Sequence, residues 1–198
     1  MDYITVREDA GKRIVNQLIN NKKVYVNVDP TMLLNKNEWE EIIDKPNFDI
    51  PKKYILLYFL GAINSEYKKA IDACACSNNC EIIDLCDKNG KYYNLGPDNF
   101  LYLEKNAFLI CTDSFHSSVF GFIFNVPFVI FERCDKTMNN MGSRIDTLLS
   151  KFKLKNRKFV GKITEENLNH DYSEAYKILE EERKKSEPFL KKALDIKD

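Results

Sequence analysis

Glycine is scarce in this sequence, with seven in 198 residues. There is no Gly-x-Gly-x-x-Gly, no Walker A lysine loop and no Gly-x-Ser-x-Gly elbow. A glycine-rich phosphate cradle and hydrolase elbow chemistry are excluded as templates. Histidine occurs twice, at His116 and His170, which is too few for a histidine-rich metal site. Net charge is missing too: thirty basic residues meet thirty acidic ones, and no basic stripe marks a nucleic-acid surface. No apolar run approaches the ~18 residues of a membrane-crossing helix. The stretch from Met1 to Glu8 has neither the basic nor the apolar region of a secretion signal. The cytoplasm is the expected compartment, the six cysteines are expected as reduced thiols, and no cofactor is implied.

What is present reads as a soluble globular chain, 44% hydrophobic and 30% charged. Thirteen Phe and ten Tyr point to a thick core, or to apolar faces covered by another domain or subunit. Cys74, Cys76, Cys80 and Cys86 cluster but lack paired Cys-x-x-Cys spacing, so small buried thiols are expected there and no metal.

Periodicity alternates along the chain. Strands are expected at 4–7, 24–28, 54–60, 81–85, 107–112 and 127–131, with helices at 36–43, 64–75, 115–125 and 143–152. A further helix is expected through Ile14, Val15, Leu18 and Ile19, and Gly96-Pro97-Asp98 opens a short one. Trp39 falls on an apolar helix side, Ser143 is a plausible N-cap, and 172–194 reads as an amphipathic helix re-started at Pro188. The continuous apolar runs are those of strands covered on both faces. The expected fold is therefore α/β, a Rossmann-like, doubly wound and mostly parallel sheet. The charged, proline-bounded stretch 44–53 is the best linker, and the piece before it reads as the end of a domain that began upstream.

Ligands of open α/β sheets bind beyond the carboxyl ends of the strands. There the sequence places Asp113-Ser114-Phe115-His116-Ser117-Ser118, running straight into a helix. A helix start favours anions, and His116 adds a group able to give or take a proton. In the plainer reading Asp113 or Ser114 caps the helix and His116 is structural. Arg7 and Glu8 end the first strand, Arg133 follows the strand at 127–131 and Arg144 opens a helix. Arginines grip carboxylates and phosphates bidentately, so two or three that converge could hold an anion, although any single one reads first as a surface salt bridge. His170, in a polar stretch, is expected as plain surface.

Thr112-Asp113-Ser114-Phe115-His116-Ser117-Ser118-Val119-Phe120 followed by Phe124-Asn125-Val126-Pro127-Phe128 resembles the signature of the polysaccharide pyruvyl transferase family. Ile4-Thr5-Val6-Arg7-Glu8, Asp29-Pro30-Thr31-Met32-Leu33-Leu34, Met141-Gly142-Ser143-Arg144-Ile145 and Leu148-Leu149 resemble flanking segments in the same order. The resemblance implies a GT-B-like two-domain enzyme moving a pyruvyl group from phosphoenolpyruvate to sugar hydroxyls of a surface polysaccharide. It implies His116 and Arg7 as catalytic residues, with Asp113, Ser114, Ser117, Ser118, Arg133 and Arg144 binding substrate. Better-studied members carry Arg-Leu-His where this chain reads Ser114-Phe115-His116, and often Gly at the place of Ser117. The missing charge then comes from Arg133 or Arg144, or the donor differs. Residues 1–34 would close an N-terminal domain missing from the chain, 35–51 would link, and 52–198 would form the C-terminal domain with its final amphipathic helix. Such a fragment is expected to be inactive alone. The alternatives are a GT-B glycosyltransferase using a nucleotide-sugar donor, and a non-catalytic binding domain.

Overall fold

The computed structural model describes residues 3–19, 23–134 and 142–196; Met141, part of a segment quoted above, lies outside them. In chain order the elements are β1 (Ile4–Val6), α1 (Asp9–Leu18), β2 (Val24–Val26), α2 (Lys36–Glu40), β3 (Tyr54–Tyr58), α3 (Ser65–Asn78) and β4 (Glu81–Asp84). Then come α4 (Pro97–Asn106), β5 (Leu109–Thr112), α5 (Phe115–Phe124), β6 (Phe128–Ile130), α6 (Gly142–Lys151), α7 (Glu165–Leu168) and α8 (Ser173–Ala193). The fold is mixed α/β, and every strand pair among the described residues is parallel. No helix of the described residues is long and apolar enough to cross a membrane.

The chain divides into two compact units. The first comprises residues 1–34, 140–154 and 173–198. Its sheet is the β1–β2 pair. Here α8 is tied to the early residues: Arg183 Nε donates to the Met32 carbonyl at 2.7 Å and Nη2 to that of Leu34 at 2.6 Å. Phe189 packs on Tyr25 with ring centroids 4.4 Å apart. The helix is uninterrupted at Pro188, contrary to the expected re-start. Proline removes one backbone N–H from the ladder, but Arg183 before it and Phe189 after it hold both halves to the same body. Ser143 does not cap α6, which already begins at Gly142; its hydroxyl donates to Glu8 Oε2 at 2.9 Å.

The second unit, residues 35–139 and 155–172, holds a four-stranded sheet in the order β4-β3-β5-β6. Alternate residues of its strands serve opposite faces. Ile55, Leu57, Phe59, Leu109, Cys111, Val129 and Phe131 pack with Ile71, Cys74 and Ala75 of α3. On the other face the Tyr54 hydroxyl donates to the Leu103 carbonyl of α4 at 2.9 Å, and Tyr58 meets Phe100 edge-on. Helices on both faces make the sheet doubly wound in the Rossmann manner, as the apolar runs implied. The order in which strands are added reverses between β3 and β5, whose outgoing loops lead to α3 on one face and α5 on the other.

Both α3 and α5 stop at an asparagine in the left-handed region, Asn79 at φ 51 and Asn125 at φ 60, the conformation asparagine tolerates best after glycine. α2 is shorter than the expected 36–43. Asn35 and Glu38 form its capping box, but the Ile42 and Ile43 N–H groups bond three residues back, to Trp39 and Glu40, and tighten the turn. The stretch 44–53 is packed onto this unit, with the Asp44 carbonyl accepting from Asn99 Nδ2 and Phe48 stacked edge-on to Tyr92.

Gly121 lets α5 lie close on the sheet. A Cβ there would meet Phe128 Cδ1 at 3.1 Å and Ile110 Cδ1 at 3.2 Å. Gly121→Val is expected to cost roughly 2 kcal/mol, measured as a lower urea midpoint with unchanged slope.

Candidate functional site

The crevice at the carboxyl ends of β3 and β5 is where doubly wound sheets take ligands, and its walls are set by hydrogen bonds. Thr112 Oγ1 donates to the Tyr58 carbonyl at 2.6 Å and accepts from the Ser114 N–H at 2.9 Å. That fixes Ser114 in extended conformation at the N-cap position of α5, although its side chain makes no capping bond. Asp113 spans the crevice. Its Oδ1 accepts from the Leu60 N–H at 2.7 Å, and its Oδ2 from the Gly61 N–H at 2.9 Å and from Arg133 Nε at 3.0 Å. The Asp113 side chain is 1% exposed and that of Arg133 14%. Gly61 is required for this fit, since a Cβ would stand 2.7 Å from Arg133 Cγ.

The run from Ser114 to Ser118 turns mostly inward. Ser118 Oγ donates to the Ser114 carbonyl at 2.8 Å, and Ser117 Oγ donates to Glu104 Oε1 at 2.6 Å. Ser114, Phe115, Ser117 and Ser118 are buried, whereas His116 is exposed, its ring edge-on to Phe115. The anion-favouring start of α5 and a solvent-facing imidazole therefore coincide at one turn.

Glu104 was invisible as a site residue in the sequence. It is fully buried on α4, and its Oε2 has no hydrogen-bond partner. Burial pushes its carboxyl up to about 8, against the opposing pull of the Ser117 bond, so at neutral pH it is an uncharged acid. Helical spacing was the available signal: Glu104 lies three residues after buried Leu101 and beside buried Leu103.

The structure places Arg7 and Arg144 in the first unit, and His116, Asp113, Ser114, Ser117, Ser118 and Arg133 in the second. Arg7 Nη1 donates to Asp29 Oδ2. Burial favours the neutral form of Asp29, but hydrogen bonds from the Thr31 hydroxyl and N–H, together with Arg7, outweigh it and hold the carboxyl below its usual range. Arg144 sits partly buried in the first turn of α6.

Two expectations need correction. His170 is not plain surface: it is partly buried, and its Nε2 lies 3.0 Å from the Asn125 carbonyl that ends α5. The cysteines are not uniformly buried: Cys76 and Cys134 are exposed, while Cys74 and Cys111 are buried and all six are free. Burial pushes the Cys74 and Cys111 thiols up, which keeps them protonated and poorly nucleophilic. Among the described residues no group of His, Cys, Asp or Glu is placed to hold a metal ion.

Asp113→Ala strands Arg133 and two backbone N–H groups at once and is expected to cost roughly 3 kcal/mol, measured by urea unfolding. Glu104 has a folded pKa raised above its unfolded value. Its contribution is therefore complete in acid and is lost as pH rises through about 8. The melting temperature should fall between about pH 5 and about pH 9, and Glu104→Gln should remove that part of the fall.

No curated protein matches the chain. A family model described as polysaccharide pyruvyl transferase matches residues 2–135. The matched stretch includes β1 with Arg7, both strands that wall the crevice, the His116 turn and Arg133. The chain belongs to the polysaccharide pyruvyl transferase family, a family of transferases.

Proposed function

We propose that this chain is part of an enzyme that transfers the pyruvyl group of phosphoenolpyruvate to sugar hydroxyls of a surface polysaccharide. One observation carries the reading within the family: His116 is presented to solvent on the first turn of α5, at the carboxyl end of β5. In ketal formation the enol CH2 gains a proton, the bond from C2 to the phosphate oxygen breaks, and two sugar hydroxyls bond to C2. Their two protons account for the one gained by carbon and the one carried off by phosphate. His116 is assigned as the acid, or as the contact for the departing phosphate. Arg7, oriented by Asp29, is assigned to the donor's anionic groups.

Ser114 stands where better-studied members have arginine, so Arg133 and Arg144 are assigned the supporting positive charge. Asp113, Ser117 and Ser118 then serve binding chiefly by shaping the turn, because their side chains bond inside the protein. The reading carries a GT-B-like architecture with it. In that architecture the parallel sheet of the second unit is the C-terminal Rossmann-like domain and residues 1–34 belong to the N-terminal one.

Calorimetric titration with phosphoenolpyruvate tests the proposal. Saturable binding, weakened about ten-fold by His116→Ala, is the expected result, the loss of one charge-assisted hydrogen bond. Absence of binding, or equal binding by the variant, would overturn it.

A further inference from the structure

Glu104 is an anomaly unless it has a task. A fully buried carboxyl group with one oxygen unbonded is a standing cost that an apolar side chain of similar size would avoid. Its one hydrogen bond reaches the turn on which the proposed function rests. Ser117 Oγ donates to it over 2.6 Å, with both residues 0% exposed. Ser117 follows His116 directly, and successive helix residues point about 100° apart. Anchoring Ser117 inward therefore fixes the direction in which His116 leaves the helix.

Ahead of α5, Asp113 ties the start of this turn to Leu60, Gly61 and Arg133. Ser114 makes no side-chain cap, and Ser118 bonds back to Ser114 within the same helix. Between α5 and the neighbouring helix α4, the Ser117–Glu104 hydrogen bond is directional, whereas the Phe100–Phe120 ring contact is apolar. We propose that Glu104 is a positioning residue: through Ser117 it fixes the first turn of α5 and with it the orientation of the His116 imidazole. The inference rests on the functional reading for the importance of His116, but not for its own geometry.

The surroundings suit a neutral acid. Two tyrosines of β3, Tyr54 and Tyr58, lie in the same buried region, and burial is the main cause that raises both hydroxyls. Lys105, next in sequence, is engaged by Glu40 of α2 at 3.0 Å. The carboxyl is raised by burial and lowered by Ser117 alone. A neutral amide of the same shape can accept the same bond from Ser117.

The test is made on the ligand-free chain, so it stands or falls separately from the phosphoenolpyruvate titration. The chain has two histidines, so its imidazole C2–H signals can be assigned by the loss of one in His116→Gln. Spectra are compared at neutral pH for the unmodified chain and for Glu104→Ala, Ser117→Ala and Glu104→Gln. The expected result is a displaced His116 signal in the two alanine variants, an unmoved His170 signal, and a restored His116 signal in Glu104→Gln. If Glu104→Ala fails to fold, Ser117→Ala carries the same comparison, since it deletes one hydroxyl. A His116 signal unchanged in Ser117→Ala overturns the proposal, as does a His170 signal displaced equally, because either shows that the pair does not orient His116.

Discussion

Asp113 closes the point at which the strand order of the sheet reverses. A carboxylate taken out of water is tolerable when its lone pairs are met by donors, and here the donors come from the ends of two flanking strands. Leu60 and Gly61 follow β3, and Arg133 follows β6. One side chain thereby sets the distance between β3 and β5 and holds the chain beyond β6. It also leaves Ser114 at the start of α5. The narrowness of Gly61 follows from the same constraint, since the arginine must lie across it.

The first unit uses the same device on a smaller scale. Asp29 lies beyond β2, is buried, accepts from the backbone and hydroxyl of Thr31, and pairs with Arg7, which follows the neighbouring parallel strand β1. In each unit a strand-end aspartate collects a backbone N–H and an arginine from the adjoining strand. Both aspartates are thus turned inward and engaged, while the Arg7 side chain stays 44% exposed. His116, outside both pairs, is left as the group of its turn that faces solvent.

Much of this could be read from the residues. The runs Tyr-Ile-Leu-Leu-Tyr and Phe-Val-Ile are apolar at every position because both faces of β3 and β6 are covered, and the switch from strand to helix at Ser114 is equally plain. What could not be read is partnership. A strand-end aspartate looks the same whether it faces a ligand or two N–H groups of its neighbour, so the engagement of Asp113 and Arg133 needed three dimensions. Ser117 and Ser118 looked like ligand contacts because the sequence does not show which way a hydroxyl turns. Glu104 was hidden by its Lys105 neighbour, which makes the helix end look like ordinary solvated charge, and Pro188 misled because local propensity yielded to packing on both sides of it.

The strand order has a consequence for how the second unit comes together. β3 meets β4 after one crossover, but its other neighbour, β5, arrives only after α3, β4 and α4 have all been threaded. Pairing at such separation carries a loop-closure entropy that is met before the contact stabilises anything, and topologies of this kind fold slowly for their size. Until β5 docks, one edge of β3 is an open row of hydrogen-bonding groups flanked by apolar side chains. That interval is when the chain is most exposed to pairing with another copy of itself.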